Sequence, residues 1–356
     1  MGRGRGIACG RPLPWCPNTG KNALSRSYAL TAYPSLLMNR SAIFFILKLA
    51  VSLLLIGFLA IKFDFGKSAE KLLDADFAGV GLAVLVLGLL LVNNTVRWRV
   101  VMRAIHAVLD MRTTFRLLYI GIFFNQTLPS SVGGDAFRMY LGRKEGLPLT
   151  AAINGVMLER VATLTGLILL VVVTQPLLLS RIGDHPATFV FPVLAVLAVT
   201  GIALLMLLDR FPERFQKHKL IRGVAELALD TKKLFLSPAR AFLAVGLGVT
   251  GNVLLALATF FLAQSIGVEV TVLDCMVLMP PVILITTVPI SIAGWGLRES
   301  AMVATFAFIG IVQEDAIALS LLFGLVNAVI SLPGGLLWLL SGYKRADVSD
   351  KMSEAS

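Results

Sequence analysis

The sequence predicts an all-α fold: a polytopic membrane helical bundle with two inverted repeats, each containing a re-entrant hairpin. Three observations predict it. First, the 356 residues are 57% apolar and only 15% charged, with a mean hydropathy of +0.83; soluble domains average ~45–50% apolar and ~25% charged. Second, the apolar residues form continuous runs, several long enough to cross a ~30 Å hydrocarbon core as helix, which takes ~20 residues. The runs do not alternate as barrel strands do, so helices are the way this backbone satisfies itself in lipid. Third, one short element occurs twice, at 127–138 and 287–298.

The elements follow in order. Residues 1–40 carry Arg3, Arg5, Arg11, Lys21, Arg26 and Arg40 without an acidic residue and without an apolar core of a secretory signal. They read as a disordered basic tail or an over-called start, with Met38 as the natural beginning of a domain over 41–343. Spans are expected at about 42–61 and 77–96, then at 150–179, 188–208, 241–263 and 316–340. The apolar segments 117–128, 275–288 and 300–309 are too short for a full crossing at 1.5 Å per residue. Between 209 and 240, Leu220, Val224, Leu227 and Leu234 recur at helical spacing among basic residues, as in an amphipathic helix on a membrane surface. Residues 344–356 form a short tail.

Lys and Arg placement sets the topology. Residues 97–116 hold Arg97, Arg99, Arg103, Arg112 and Arg116, and 209–240 hold eight basic residues. These fall on one side only if the short segments return to their own side. The result is a multi-pass protein of the cell inner (plasma) membrane, with six full spans and both termini cytoplasmic. The net charge of +11 is therefore topological, and no nucleic acid partner is expected. Cys9, Cys16 and Cys275 and the three histidines have no metal-ligand spacing. No phosphate-binding Gly-rich loop, nucleophile triad or dinucleotide fingerprint is present. No cofactor or metal is expected, and no catalytic residue emerges.

In the duplicated element, Thr127/Thr287, Pro129/Pro289, Ser131/Ser291, Gly134/Gly294 and Arg138/Arg298 are identical at a fixed offset of 160. Three spans separate the copies, and an odd number inverts the second, as in transporters built from inverted repeats. Pro129 and Pro289 would end a first half-helix. Gly133, Gly134, Gly294 and Gly296 would let the backbone turn at the hairpin tips. Ser131 and Ser291 would cap the second half-helix or meet a ligand. Irregular backbone at membrane depth lines a wet cavity or is buried in protein. Arg138 and Arg298, with guanidiniums suited to phosphate, are therefore expected to face one cavity from opposite sides and hold an anionic lipid head group. Asn125, Gln126 and Asp135 add polar groups to the first copy; Trp295 and Glu299 stand in the second.

Further charges lie inside apolar runs. Glu159 and Arg160 sit about ten residues into their span, and an unpaired ion there costs roughly 2.5–3.5 kcal/mol. Partners on other helices are expected, with Glu159–Arg138 one option; Glu159 and Asp135 are also candidates for proton coupling. Lys48 is expected to snorkel or pair structurally, and Arg97 and Arg99 around Trp98 to form an interfacial anchor.

Residues 123–129 (Phe-Phe-Asn-Gln-Thr-Leu-Pro), 133–138 (Gly-Gly-Asp-Ala-Phe-Arg), Leu158-Glu159-Arg160, Pro289-Ile290-Ser291 and 296–299 (Gly-Leu-Arg-Glu) resemble the lysylphosphatidylglycerol synthase transmembrane-region family, also called flippase-like and UPF0104-type. The resemblance covers about residues 42–341. It implies binding or translocation of a lipid, with membrane lipids as partners. In multidomain relatives this region is joined to a soluble aminoacyltransferase domain, which has no counterpart here. The alternative functions are a membrane-embedded aminoacyl- or glycosyltransferase with a lipid acceptor, or a membrane partner of a separately encoded transferase.

Overall fold

The computed structural model describes residues 71–72, 74–128, 133–182, 190–207, 219–287 and 295–341. The run 42–61, Lys48, Pro129, Ser131, Pro289, Ser291, Gly294 and both tails lie outside the described residues. The rest is all helical, with no strand among the described residues.

The helices are α1 (Phe77–Ala104), α2 (Met111–Thr127), α3 (Gly133–Lys144), α4 (Leu149–Ile182) and α5 (Val190–Leu207), then α6 (Lys219–Phe235), α7 (Pro238–Ser265), α8 (Val272–Thr287), α9 (Leu297–Phe306) and α10 (Gln313–Leu340). Four are long and apolar enough to cross a membrane: α1, α7, α10 and the segment Leu149–Thr174 of α4. At 1.5 Å per residue, the 28-residue α1 is about 42 Å long. Exposed leucines and valines along these helices, such as Leu85, Leu89, Leu325 and Leu332, fit a lipid-facing surface.

Local chemistry fixes the helix ends. Asp76 accepts hydrogen bonds from the Ala78 and Gly79 N–H groups and starts α1. Asp110 does the same for α2 through Arg112 and Thr113, and the Thr113 hydrogen bonds hold its carboxyl below the usual range. Thr271 and Asp274 form a reciprocal capping box at α8, each side chain accepting from the other's N–H at 3.0–3.1 Å. Pro238 occupies the first position of α7, where its missing donor costs nothing.

Both copies of the duplicated element interrupt a helix. α2 stops at Thr127 and α3 starts at Gly133; α8 stops at Thr287 and α9 starts at Leu297. Pro280 and Pro281 lie inside α8, so a proline alone does not end a helix here. The expected amphipathic helix is α6. Its Leu234 is fully buried, whereas Val224 and Leu229 are exposed.

The buried apolar residues form two main groups. One joins the first half of α1 to α7, α8, α9 and α10. The other joins the second half of α1 to α2, α3, α4 and α6. Helices α4 and α7 touch through glycine: a Cβ on Gly166 would come within 2.5 Å of the Gly248 carbonyl carbon.

Candidate functional site

A cavity of about 310 Å³ draws its lining from both groups, and α1 shows why. Leu87, Leu90, Leu91, Asn94 and Arg97 all line it. Their spacing of three and four residues is one helical stripe. The stripe is apolar at one end and cationic at the other. Leu255 of α7, Ile283 of α8 and Ile330 of α10 continue the apolar wall. Asn125 and Gln126 of α2, Asp135 and Arg138 of α3, and Glu159, Arg160 and Thr163 of α4 make the polar end, with Asn252 and Asn327 nearby.

The charged groups form a connected series. Glu159 Oε1 accepts from Arg97 Nε at 3.1 Å and Nη2 at 2.6 Å. Its Oε2 accepts from Arg138 Nη2 at 3.0 Å. Arg138 Nη2 also lies 3.2 Å from Asp135 Oδ1, and Asp135 Oδ2 accepts from Arg160 at 2.7 Å. Three guanidiniums thus face two carboxylates, leaving one positive charge in excess. The side chains of Arg97, Arg138, Glu159 and Asp135 are 5–7% exposed, that of Arg160 43%. The Arg138 guanidinium also lies over the Trp98 ring at 4.6 Å. Among the described residues, Arg138 Nε and Asn94 Oδ1 are buried without a hydrogen-bond partner.

Small residues seat α3 against α2. A Cβ on Gly134 would fall 1.9 Å from the Gly121 carbonyl oxygen, so α2 and α3 touch backbone to backbone. Asn125 Oδ1 accepts from Gly134 N–H at 2.8 Å; that oxygen is committed to starting α3. Phe124 and Phe137 stack at 3.8 Å, and Trp338 of α10 meets both edge-on. Tyr119 donates to the Ile330 carbonyl of α10 at 2.7 Å.

Arg298 is held by a different set of partners. The cavity lining includes Arg138 and not Arg298. Arg298 Nη2 donates to Glu299 at 2.8 Å and its Nε to Ser320 at 3.1 Å, while Ser320 donates to the same Glu299 oxygen. The other Glu299 oxygen accepts from Gly296 N–H at 2.5 Å, and Gly296 has a φ of 82°, which favours glycine. The guanidinium is packed over Trp295 and Phe323 and against Gly324, where a Cβ would come within 2.2 Å. This cluster is charge-balanced and tied to its own helix start.

Sequence reasoning expected Glu159–Arg138, and the two side chains do meet. Arg97, by contrast, is not an interfacial anchor; it is 4% exposed and bound to Glu159. The legible signal was its position three residues after Asn94, on the stripe that also carries Leu87, Leu90 and Leu91. Asn252 and Asn327 were also missed. Nothing in their local sequence distinguishes them from asparagines that bond their own helix, as both do. No group of three or more His, Cys, Asp or Glu suited to a metal occurs among the described residues.

An all-helical membrane protein with an arginine-lined cavity is the class this architecture defines. The chain belongs to the family described as the lysylphosphatidylglycerol synthase TM region, whose model matches residues 45–334. It is also 24% identical, over 79% of its length and 88% of the relative's, to a UPF0104 membrane protein of Methanothermobacter thermautotrophicus.

Proposed function

We propose that the cavity binds the anionic head group of a membrane lipid, a phospholipid or polyprenyl phosphate, and that the protein moves this lipid between leaflets. The observation that carries the reading is the charge series: one guanidinium charge more than the carboxylates balance, at the polar end of a cavity whose other wall is apolar. A buried excess cation is costly, and a phosphate oxygen removes that cost. The leucine and isoleucine wall matches the acyl or prenyl part.

Inverted repeats would supply the movement. Their support is the matched series of helix starts: Phe77 with Pro238 and Met111 with Val272, both 161 residues apart, then Gly133 with Leu297 and Leu149 with Gln313, both 164 apart. Each half runs long helix, interrupted pair, long helix. On this reading the pairs α2–α3 and α8–α9 are re-entrant hairpins, and the membrane is the cell inner membrane with both termini cytoplasmic. Asp135 and Glu159 are the carboxylates that could couple transport to protons. Arg138 is the head-group residue, whereas Arg298 serves the second hairpin.

Reconstitution tests this. Proteoliposomes holding the wild-type chain should move fluorescent phosphatidylglycerol, phosphatidic acid or undecaprenyl phosphate to the outer leaflet, and Arg138→Ala should abolish the movement. Wild-type rates in Arg138→Ala would sink the head-group role.

A further inference from the structure

The two carboxylates of the charge series are not equivalent. Glu159 of α4 ties down guanidiniums from α1 and α3, both 5% exposed, with three hydrogen bonds. It locks three helices together. Asp135 instead holds Arg160, whose side chain is 43% exposed, through Nε and Nη2. The same Asp135 keeps a second partner one turn along its own helix, Arg138 at 3.2 Å. The Asp135–Arg160 pair can therefore open without leaving either a buried carboxylate or a buried guanidinium unpaired. Carboxylate and phosphate oxygens offer guanidinium the same forked acceptor.

We propose that Asp135 is a built-in competitor of the head group: the ligand's anionic oxygens replace Asp135 on Arg160, and Arg160 is the arm that takes the anion in and lets it go. This rests on reading the cavity as an anionic lipid site. The exchange would let a site with three arginines release an anionic ligand. With Asp135 back on Arg160 and Glu159 shared by Arg97 and Arg138, every guanidinium again contacts a carboxylate after release, so none is left buried without an acceptor.

The test uses the full-length protein in detergent, with dihexanoyl phosphatidylglycerol as probe and calorimetric titration as readout. Asp135→Asn should bind the probe at least about tenfold tighter, because one competing charge is gone. Arg160→Gln should bind it more weakly. The double variant should bind no tighter than Arg160→Gln, since competition acts through the arm. A monodisperse Asp135→Asn protein that binds no tighter than wild type overturns the competitor role, while loss of binding in Arg138→Gln leaves the anionic site standing. Absence of wild-type binding, or full binding by Arg138→Gln, overturns both. A second measurement needs no substitution at Asp135. Phenylglyoxal should modify Arg160 in the wild-type protein, and saturating probe should shield it. Unchanged modification at saturation also overturns the proposal.

Discussion

Glu159 shows how one residue in this chain joins three helices. Its carboxylate is 4% exposed and bound to Arg97 and Arg138. Removing one partner of a buried ion pair leaves the others uncompensated and costs roughly 3–5 kcal/mol. Glu159→Gln should therefore lower the unfolding temperature in detergent sharply; an unchanged temperature would show that the guanidiniums find other partners. Gly134 presents a steric version of the same dependence. An alanine there would set its Cβ 1.9 Å from the Gly121 carbonyl and 2.6 Å from Asn125 Oδ1. Backbone oxygen cannot swing aside, so Gly134→Ala should destabilise by roughly 1–3 kcal/mol and displace the start of α3. Denaturation read by Trp98 fluorescence, with the other tryptophans replaced, follows that displacement because Trp98 covers Arg138. An Asn125→Ala change should act in the same direction and more weakly, since it removes one hydrogen bond.

At the scale of elements, the cavity depends on how α1, α4 and α7 approach one another. Gly166 and Gly248 bring α4 and α7 into backbone contact, and Gly251 of α7 leaves room for Asn93 and Arg97 of α1. Helices in lipid gain little from burying apolar surface against each other, so close approach through small residues is what holds them. Gly248→Leu should force α4 and α7 apart, lower the unfolding temperature and weaken lipid binding together. Gly246, two residues from Gly248 and so on nearly the opposite face of α7, with open space around it, is the control: Gly246→Leu should leave both nearly unchanged. Equal effects at the two positions would show that the α4–α7 contact has no special role. The gaps between α2 and α3 and between α8 and α9 were readable because each copy of the duplicated element carries a proline two residues after its threonine. The amphipathic α6 was readable from its spacing. That the breaks would seat α2 against α10 through Tyr119, Phe124 and Trp338 was not, because aromatic contacts between distant helices leave no local pattern.

For the whole molecule, the topology is the testable statement. Cytoplasm-active reporters fused after Ser341 or within 209–218 should be active, and one within 183–189 silent. An active reporter at 183–189 would overturn the six-span reading with cytoplasmic termini. The sequence by itself determined that the chain is a helical membrane protein, where its long helices lie, and that a short element recurs, because hydropathy, caps and proline act on neighbouring residues. It also singled out Arg138 and Asp135 as candidates through the duplicated element, and Glu159 and Arg160 because charge inside an apolar run is costly and so demands a partner. Only the tertiary structure decided which partners those are. It put Arg97 in the cavity rather than at an interface, and it enclosed Arg298 with Glu299 and Ser320. The reason is physical: a buried charge fixes that it must be compensated, but the choice of compensating group depends on which helix faces meet, and that is set by glycine contacts and aromatic packing between segments far apart in the chain.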